Sequence, residues 1–161
     1  MTLHEFLIAR RKTEIPTFVR VLKALPQRKL DYRPDPRARS AAELAWLLAY
    51  EEETLVSLLE KGTIEWVDRP APATVAEIVA AFEKNAAQVD AGIAKLDAAG
   101  WNAPGKFIVG GASVWEAPTG DMLLGYLFDM VHHRGQLCTY LRPMGGKVPS
   151  IYGPSADDSG Q

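Results

Sequence analysis

Four stretches of this chain repeat apolar residues every three or four positions, and each is closed by proline, glycine or a capping side chain. That repeat gives a helix one apolar stripe, and four striped helices bury their stripes together as a bundle. The first helix is predicted from about Thr2 to Leu25, with Leu3, Phe6, Leu7, Phe18, Val21, Leu22 and Leu25 on its apolar side. Pro16 should kink it and Pro26 should end it. The next segment, QRKLDYRPDPRAR, is too rich in proline and charge for regular structure. Ser40 and Glu43 then stand at the spacing where a serine and a glutamate satisfy each other's backbone donors, so a second helix opens there. It carries Leu44, Leu47, Leu48, Leu55, Leu58 and Leu59 inward and stops at Gly62. Thr74 and Glu77 repeat the device and open a third helix through Ile78, Phe82, Val89, Ile93 and Leu96, ended by Gly100. The fourth is predicted from about Gly120 to Arg142, with Leu124, Leu127, Phe128, Val131, Cys138 and Leu141 on its stripe.

Between the third and fourth helices, KFIVGGASVW sets β-branched and aromatic residues on either side of Gly-Gly, which predicts a small hairpin. The tail KVPSIYGPSADDSGQ cannot continue a helix; it is expected to fold back as coil through Val148, Ile151 and Tyr152. A chain of 161 residues can bury a substantial core unaided. The expected fold class is therefore all-α, a four-helix bundle with one small hairpin, forming a single domain over residues 1–158 with a frayed tail at 159–161.

Lys and Arg number 18 against 20 Asp and Glu, so there is no basic excess to neutralise phosphates, and nucleic acid is not an expected partner. The single cysteine, Cys138, excludes an internal disulfide framework and a cysteine-built zinc site, and it suits a reducing cytoplasm. The opening MTLHEFLIARRKTE interrupts its apolar run with charge, so it resembles neither a signal peptide nor a membrane span. A cytoplasmic protein without membrane association is the expectation.

With only three histidines, His4, His132 and His133, metal chemistry has few routes. Neighbouring residues on a helix point about 100° apart, so His132 and His133 cannot readily share one ion. Asp129 and His133 are four apart, the spacing at which two ligands on one helix meet. Glu51 is the best third ligand, because a carboxylate on a leucine-rich stripe is costly to bury without a partner. One histidine and two carboxylates suit a divalent first-row metal with open positions. The other reading of the same three residues is a hydrogen-bonded polar cluster holding helices two and four in register. Gly135 is expected at a close helix contact, Cys138 as an inert core thiol, and Tyr50, Tyr126 and Tyr140 at a surface or interface. His4, near the start of the chain, is expected to be solvated.

The segment HHRGQLCTYLRPMGGKVPSIYGPSAD at 132–157, with EAPTGDMLLGYLFDM before it, resembles the DinB-like family, which is distinct from the DNA polymerase of that name. LDYRPDPRARSAAELAW and GGASVWEAP support the likeness, which spans most of the chain. The resemblance implies an up-down-down-up bundle, homodimers, and a metal held by one histidine of helix two and two of helix four. His133 matches the last of these, Asp129 occupies the earlier helix-four position, and Leu47 occupies the helix-two position. The resemblance further implies a metal-dependent enzyme acting on a small molecule, of thiol S-transferase or hydrolase type, using zinc, nickel or manganese and a low-molecular-weight thiol. Maleylpyruvate isomerase is a related bundle. A DNA damage-inducible, non-catalytic binding or dimerisation module without metal is the other reading.

Overall fold

The computed structural model describes residues 1–160; Gln161, the end of the expected frayed tail, lies outside the described residues. Four long helices carry the core: α1 (Leu3–Lys23), α2 (Ala41–Lys61), α3 (Val75–Ile93) and α5 (Thr119–Leu141). A short α4 (Ala98–Asn102), three strands, β1 (Thr63–Trp66), β2 (Pro104–Val109) and β3 (Ala112–Pro118), and one 3-10 turn at Gln27–Lys29, in the segment expected to lack regular structure, make up the other elements of the described residues. The fold is thus mostly helical and not all-α. α1 and α2 each pack against both α3 and α5, and Leu7, Phe18, Leu22, Leu44, Leu48, Leu55, Phe82 and Leu137 meet in the shared interior. Among the described residues, no helix is long and apolar enough to cross a membrane.

The capping boxes form as the spacing predicts. Ser40 Oγ accepts from the Glu43 N–H at 3.2 Å while the Glu43 carboxylate accepts from the Ser40 N–H at 2.8 Å; Thr74 and Glu77 do the same for α3. Thr2 and Glu5 make a third such box at the start of α1. Pro16 lies within α1 without ending it.

The third helix is shorter than its periodicity suggests. It closes at Ile93, and the Asp97 carboxylate accepts from the Gly100 N–H at 2.7 Å to cap the separate α4, so Gly100 lies inside a helix instead of ending one. α4 sets Trp101 against Gly120 of α5, and a side chain at 120 would run into the indole ring. Gly120→Ala is accordingly expected to destabilise the protein by about 1–3 kcal/mol, read as a lower urea midpoint with an unchanged slope.

The expected hairpin is β2–β3, turning at Gly110 and Gly111, whose φ values of 57° and 82° are the left-handed pair that a tight hairpin turn requires. The sheet has a third member that the sequence reading leaves as loop: β1 pairs in parallel with β2, Ile64 beside Phe107. Gly62, at φ 71°, ends α2 and turns the chain into β1, and its carbonyl accepts from the Lys106 N–H at 3.0 Å.

Several single-residue expectations change. His4 is not solvated: Nε2 lies 2.8 Å from the Ile93 carbonyl and the ring packs on Trp101. Gly135 faces open space and supports no close helix contact. Leu3 and Phe128 are exposed and lie off the core, while Tyr50, Tyr126 and Tyr140 are buried. The tail does return to the bundle. Val148 and Ile151 pack on the core, and the Tyr152 hydroxyl donates to Glu14 while accepting from Arg134 Nη2 at 2.6 Å.

Candidate metal centre

α2 and α5 run side by side, and their facing turns bring together the three residues singled out from sequence. Each of Glu51, Asp129 and His133 offers a ligand atom, and these atoms lie within 4.8 Å of one another. His133 Nε2 is 3.4 Å from Asp129 Oδ2 and 3.8 Å from Glu51 Oε1. Among the described residues, this is the one such group of three.

The histidine is aimed by its neighbour. Nδ1 lies 3.0 Å from Gln136 Oε1, which in the neutral ring fixes the proton on Nδ1 and leaves the Nε2 lone pair facing the two carboxylates. Gln136 also donates from Nε2 to His132, whose exposed ring takes no place in the cluster. The i and i+4 spacing on α5 thus selects His133 and turns His132 outward.

Glu51 is only 2% exposed. Burial, and then the nearby Asp129 carboxylate, push its carboxyl well above the usual range, so without a cation it is held as the neutral acid. Its Oε2 is buried with no hydrogen-bond partner. An oxygen in that condition lacks a positive charge or a donor, and a divalent cation between Glu51, Asp129 and His133 supplies one. The donor set therefore fits a metal. Asp129 is largely exposed and can adjust its rotamer, whereas Glu51 is fixed.

Above the cluster lies a cleft of about 420 Å³. Its walls come from outside the helices: Trp66 of β1, Phe107 and Val109 of β2, and Trp115 of β3, with Leu47 and Tyr126 beside the carboxylates. Burial raises the Tyr126 hydroxyl, keeping it a phenol that can donate into the cleft. Arg39 lines the same space, immediately before the Ser40 cap of α2. Sequence reasoning singles out Leu47 and Tyr126 but assigns no site role to Arg39 or to the strand residues Trp66, Phe107, Val109 and Trp115. The signal available was valine and tryptophan on short strands where Val109, Val114 and Trp115 are left exposed.

Two buried ionic clusters were also missed, and both brace the helices around the site. Arg11 donates to both Glu52 oxygens at 3.0 and 2.9 Å and to Asp90 at 2.5 Å, joining α1, α2 and α3. Arg134, next to His133, donates to Glu14 at 2.6 Å and to Thr17, with its guanidinium 4.5 Å from the centre of the Phe18 ring. Burial disfavours the Glu14 charge, but Arg10, Arg134 and Tyr152 together hold its carboxyl below the usual range. Cys138 is half-buried, and burial raises its thiol, which suits the inert role expected of it.

The overall architecture is shared with proteins of known structure. A DinB-like protein from Bacillus cereus ATCC 10987 superposes with a TM-score of 0.76 at 18% identity, over 92% of this chain and 97% of that one. A DinB-like protein from Bacillus subtilis gives 0.69 at 12% identity, covering 94% and 98%. The mycothiol-dependent maleylpyruvate isomerase gives 0.55 at 13% identity, over 91% of this chain but only 62% of the isomerase. No curated protein matches the sequence. Residues 13–137, which include Glu51, Asp129 and His133, match the sequence model of the DinB superfamily, and the chain belongs to that family.

Proposed function

We propose that this protein is a metal-dependent enzyme of thiol S-transferase or hydrolase type, with Glu51, Asp129 and His133 holding a divalent ion at the floor of the cleft. The observation that carries the reading is Glu51, fixed inside the bundle with Oε2 lacking any partner and with His133 Nε2 standing 3.8 Å from Oε1. A polar cluster serving only to join two helices gains nothing from an unsatisfied oxygen. Leu47, at the family's helix-two ligand position, is apolar and lines the cleft one turn from Glu51, so the carboxylate takes over from the histidine.

A divalent cation there supplies Lewis acidity, favouring ionisation of a thiol or water brought against it. The protein's own groups do the rest. His133 presents Nε2 because Gln136 holds Nδ1–H, and Glu51 gives up its proton when the cation arrives, so uptake is favoured by rising pH. The aromatic walls exclude bulk water and seat an apolar substrate body, and the Tyr126 phenol donates to an oxygen of the bound molecule. A fold relative named for its dependence on mycothiol supports a thiol as co-substrate. In this reading the protein works as a cytoplasmic homodimer.

Elemental analysis of untagged protein, after incubation with zinc, nickel and manganese, tests the proposal. About one ion per chain is expected in wild type, with His133→Ala and Asp129→Ala at background. Background metal in the wild type overturns the proposal and leaves the three residues as a polar contact between α2 and α5.

A further inference from the structure

Among the described residues, Arg28 and Arg39 are the arginines whose side chains make no hydrogen bond or salt bridge, although Arg39 is near enough to Glu51 for its charge to favour the ionised acid. Arg28 stands at the surface in the linker after α1, whereas Arg39 lines both the metal cleft and the adjoining groove of about 200 Å³, whose walls are Trp46, Tyr50 and Trp66 with Glu43, Asp68 and Arg69 at its edge. Its backbone is anchored. The Arg39 carbonyl accepts from the Tyr140 hydroxyl at 3.1 Å, and the next residue is the Ser40 cap of α2. The exposed guanidinium therefore projects from a fixed point of the rim, with its five donors free.

The charges in the cleft are otherwise balanced. The carboxylates of Glu51 and Asp129 cancel a divalent ion, His133 ligates as a neutral ring, and the remaining walls are Leu47, Tyr126 and the aromatic and apolar side chains of the strands. Arg39 alone leaves the loaded cleft with one net positive charge. We propose that Arg39 is the specificity-determining residue of this site and that its substrate is a small monoanionic carboxylic acid with a planar apolar body. The carboxylate sits on the Arg39 fork, the body lies against Trp66, Phe107 and Trp115, and the reacting end points down to Glu51, Asp129 and His133. The assignment of a substrate class rests on the enzyme reading above, but the Arg39 contact stands on the cleft itself.

Phenylacetate and its neutral isostere phenylacetamide are suitable probes, titrated against the intrinsic tryptophan fluorescence, to which the wall residues Trp66 and Trp115 contribute, in zinc-incubated and in EDTA-treated protein. The expected result is about tenfold tighter binding of the carboxylate in zinc-incubated wild type and a smaller preference after EDTA. In Arg39→Gln the preference falls to near parity in both states while amide affinity is unchanged, which shows the cleft intact. Arg39→Lys retains part of the preference, and Arg28→Gln all of it. A preference that survives Arg39→Gln, or appears only with zinc, places the carboxylate on the ion and overturns the proposal while leaving the metal reading standing. Failure to bind zinc with the Arg39 effect intact does the reverse. No binding of either probe at about 10 mM also overturns the substrate class.

Discussion

Replacing Glu52 with alanine is expected to destabilise the protein by about 3–5 kcal/mol, although Glu52 touches neither the cleft nor the surface. Glu52 is fully buried, and Arg11, only 2% exposed, spends two of its nitrogens on it. Burial would pull the Arg11 guanidinium down, but Glu52 first and then Asp90 hold it above its ordinary value, so it stays charged in the folded protein. Without Glu52, that charge keeps Asp90 at the edge of the bundle and a long contact to the Ala86 carbonyl at 3.5 Å. An arginine cannot escape by losing its proton. A whole domain of this size is stable by about 5–15 kcal/mol, so the loss consumes a large part of it. Urea unfolding should show the midpoint falling sharply in Glu52→Ala and recovering most of the way in Arg11→Met/Glu52→Leu, where both charges leave together. A Glu52→Ala shift below about 0.5 kcal/mol would show that the pair does not brace the bundle.

Why this brace escaped the sequence reading, when the helices did not, is a matter of range. Capping boxes and apolar stripes are local: Ser40 and Glu43, or Leu44 and Leu48, lie within two turns of each other, and the helix forms whatever is far away. Arg11 and Glu14 also fall on the apolar stripe of α1, between Leu7 and Phe18. Their partners are 41, 79 and 120 residues distant, so nothing nearby marks them as buried. The same distinction separates the parts of the candidate site. Asp129 and His133 share one helix face, and Glu51 interrupts a run of leucines, so all three were legible. Arg39 belongs to a proline-rich linker and Trp66 to a four-residue strand whose partner is β2, and neither has a period to read.

Glu51→Gln is expected to move function and stability in opposite directions. Affinity for divalent ions should fall by more than about 100-fold, since an amide cannot supply the anionic oxygen. Metal-free protein, by contrast, should gain stability at alkaline pH. The folded-state pKa of Glu51 is raised, so the folded chain holds this proton more tightly than the unfolded one. The stabilisation from that group is complete below the unfolded value of about 4.3 and is lost as pH rises through the folded value. Glutamine has no charge to develop, so the variant's advantage is absent in acid and widens with pH across that window. Unfolding of EDTA-treated wild type and variant at about pH 5 and pH 9 reads the difference directly, with ion binding measured by competition with a chromophoric chelator. A variant equally destabilised at both pH values, with ion affinity intact, would show that Glu51 is a structural acid and not a ligand.

The cleft divides its labour between two kinds of scaffold. The groups at its floor stand on α2 and α5, tied into the buried ion pairs and the core, while Trp66, Phe107, Val109 and Trp115 stand on three short strands, and Val114 and Trp115 are exposed. Substitutions on such a sheet face cost little stability, typically within about 0.5 kcal/mol, whereas those beneath the floor cost several times that. Evolution can therefore re-shape what the cleft accepts by drifting along the sheet while the helices keep their chemistry. Relatives that share this helical floor are free to differ in the molecules they admit, and a library confined to the exposed wall positions Val109 and Trp115 would sample new selectivities without first having to rescue the fold.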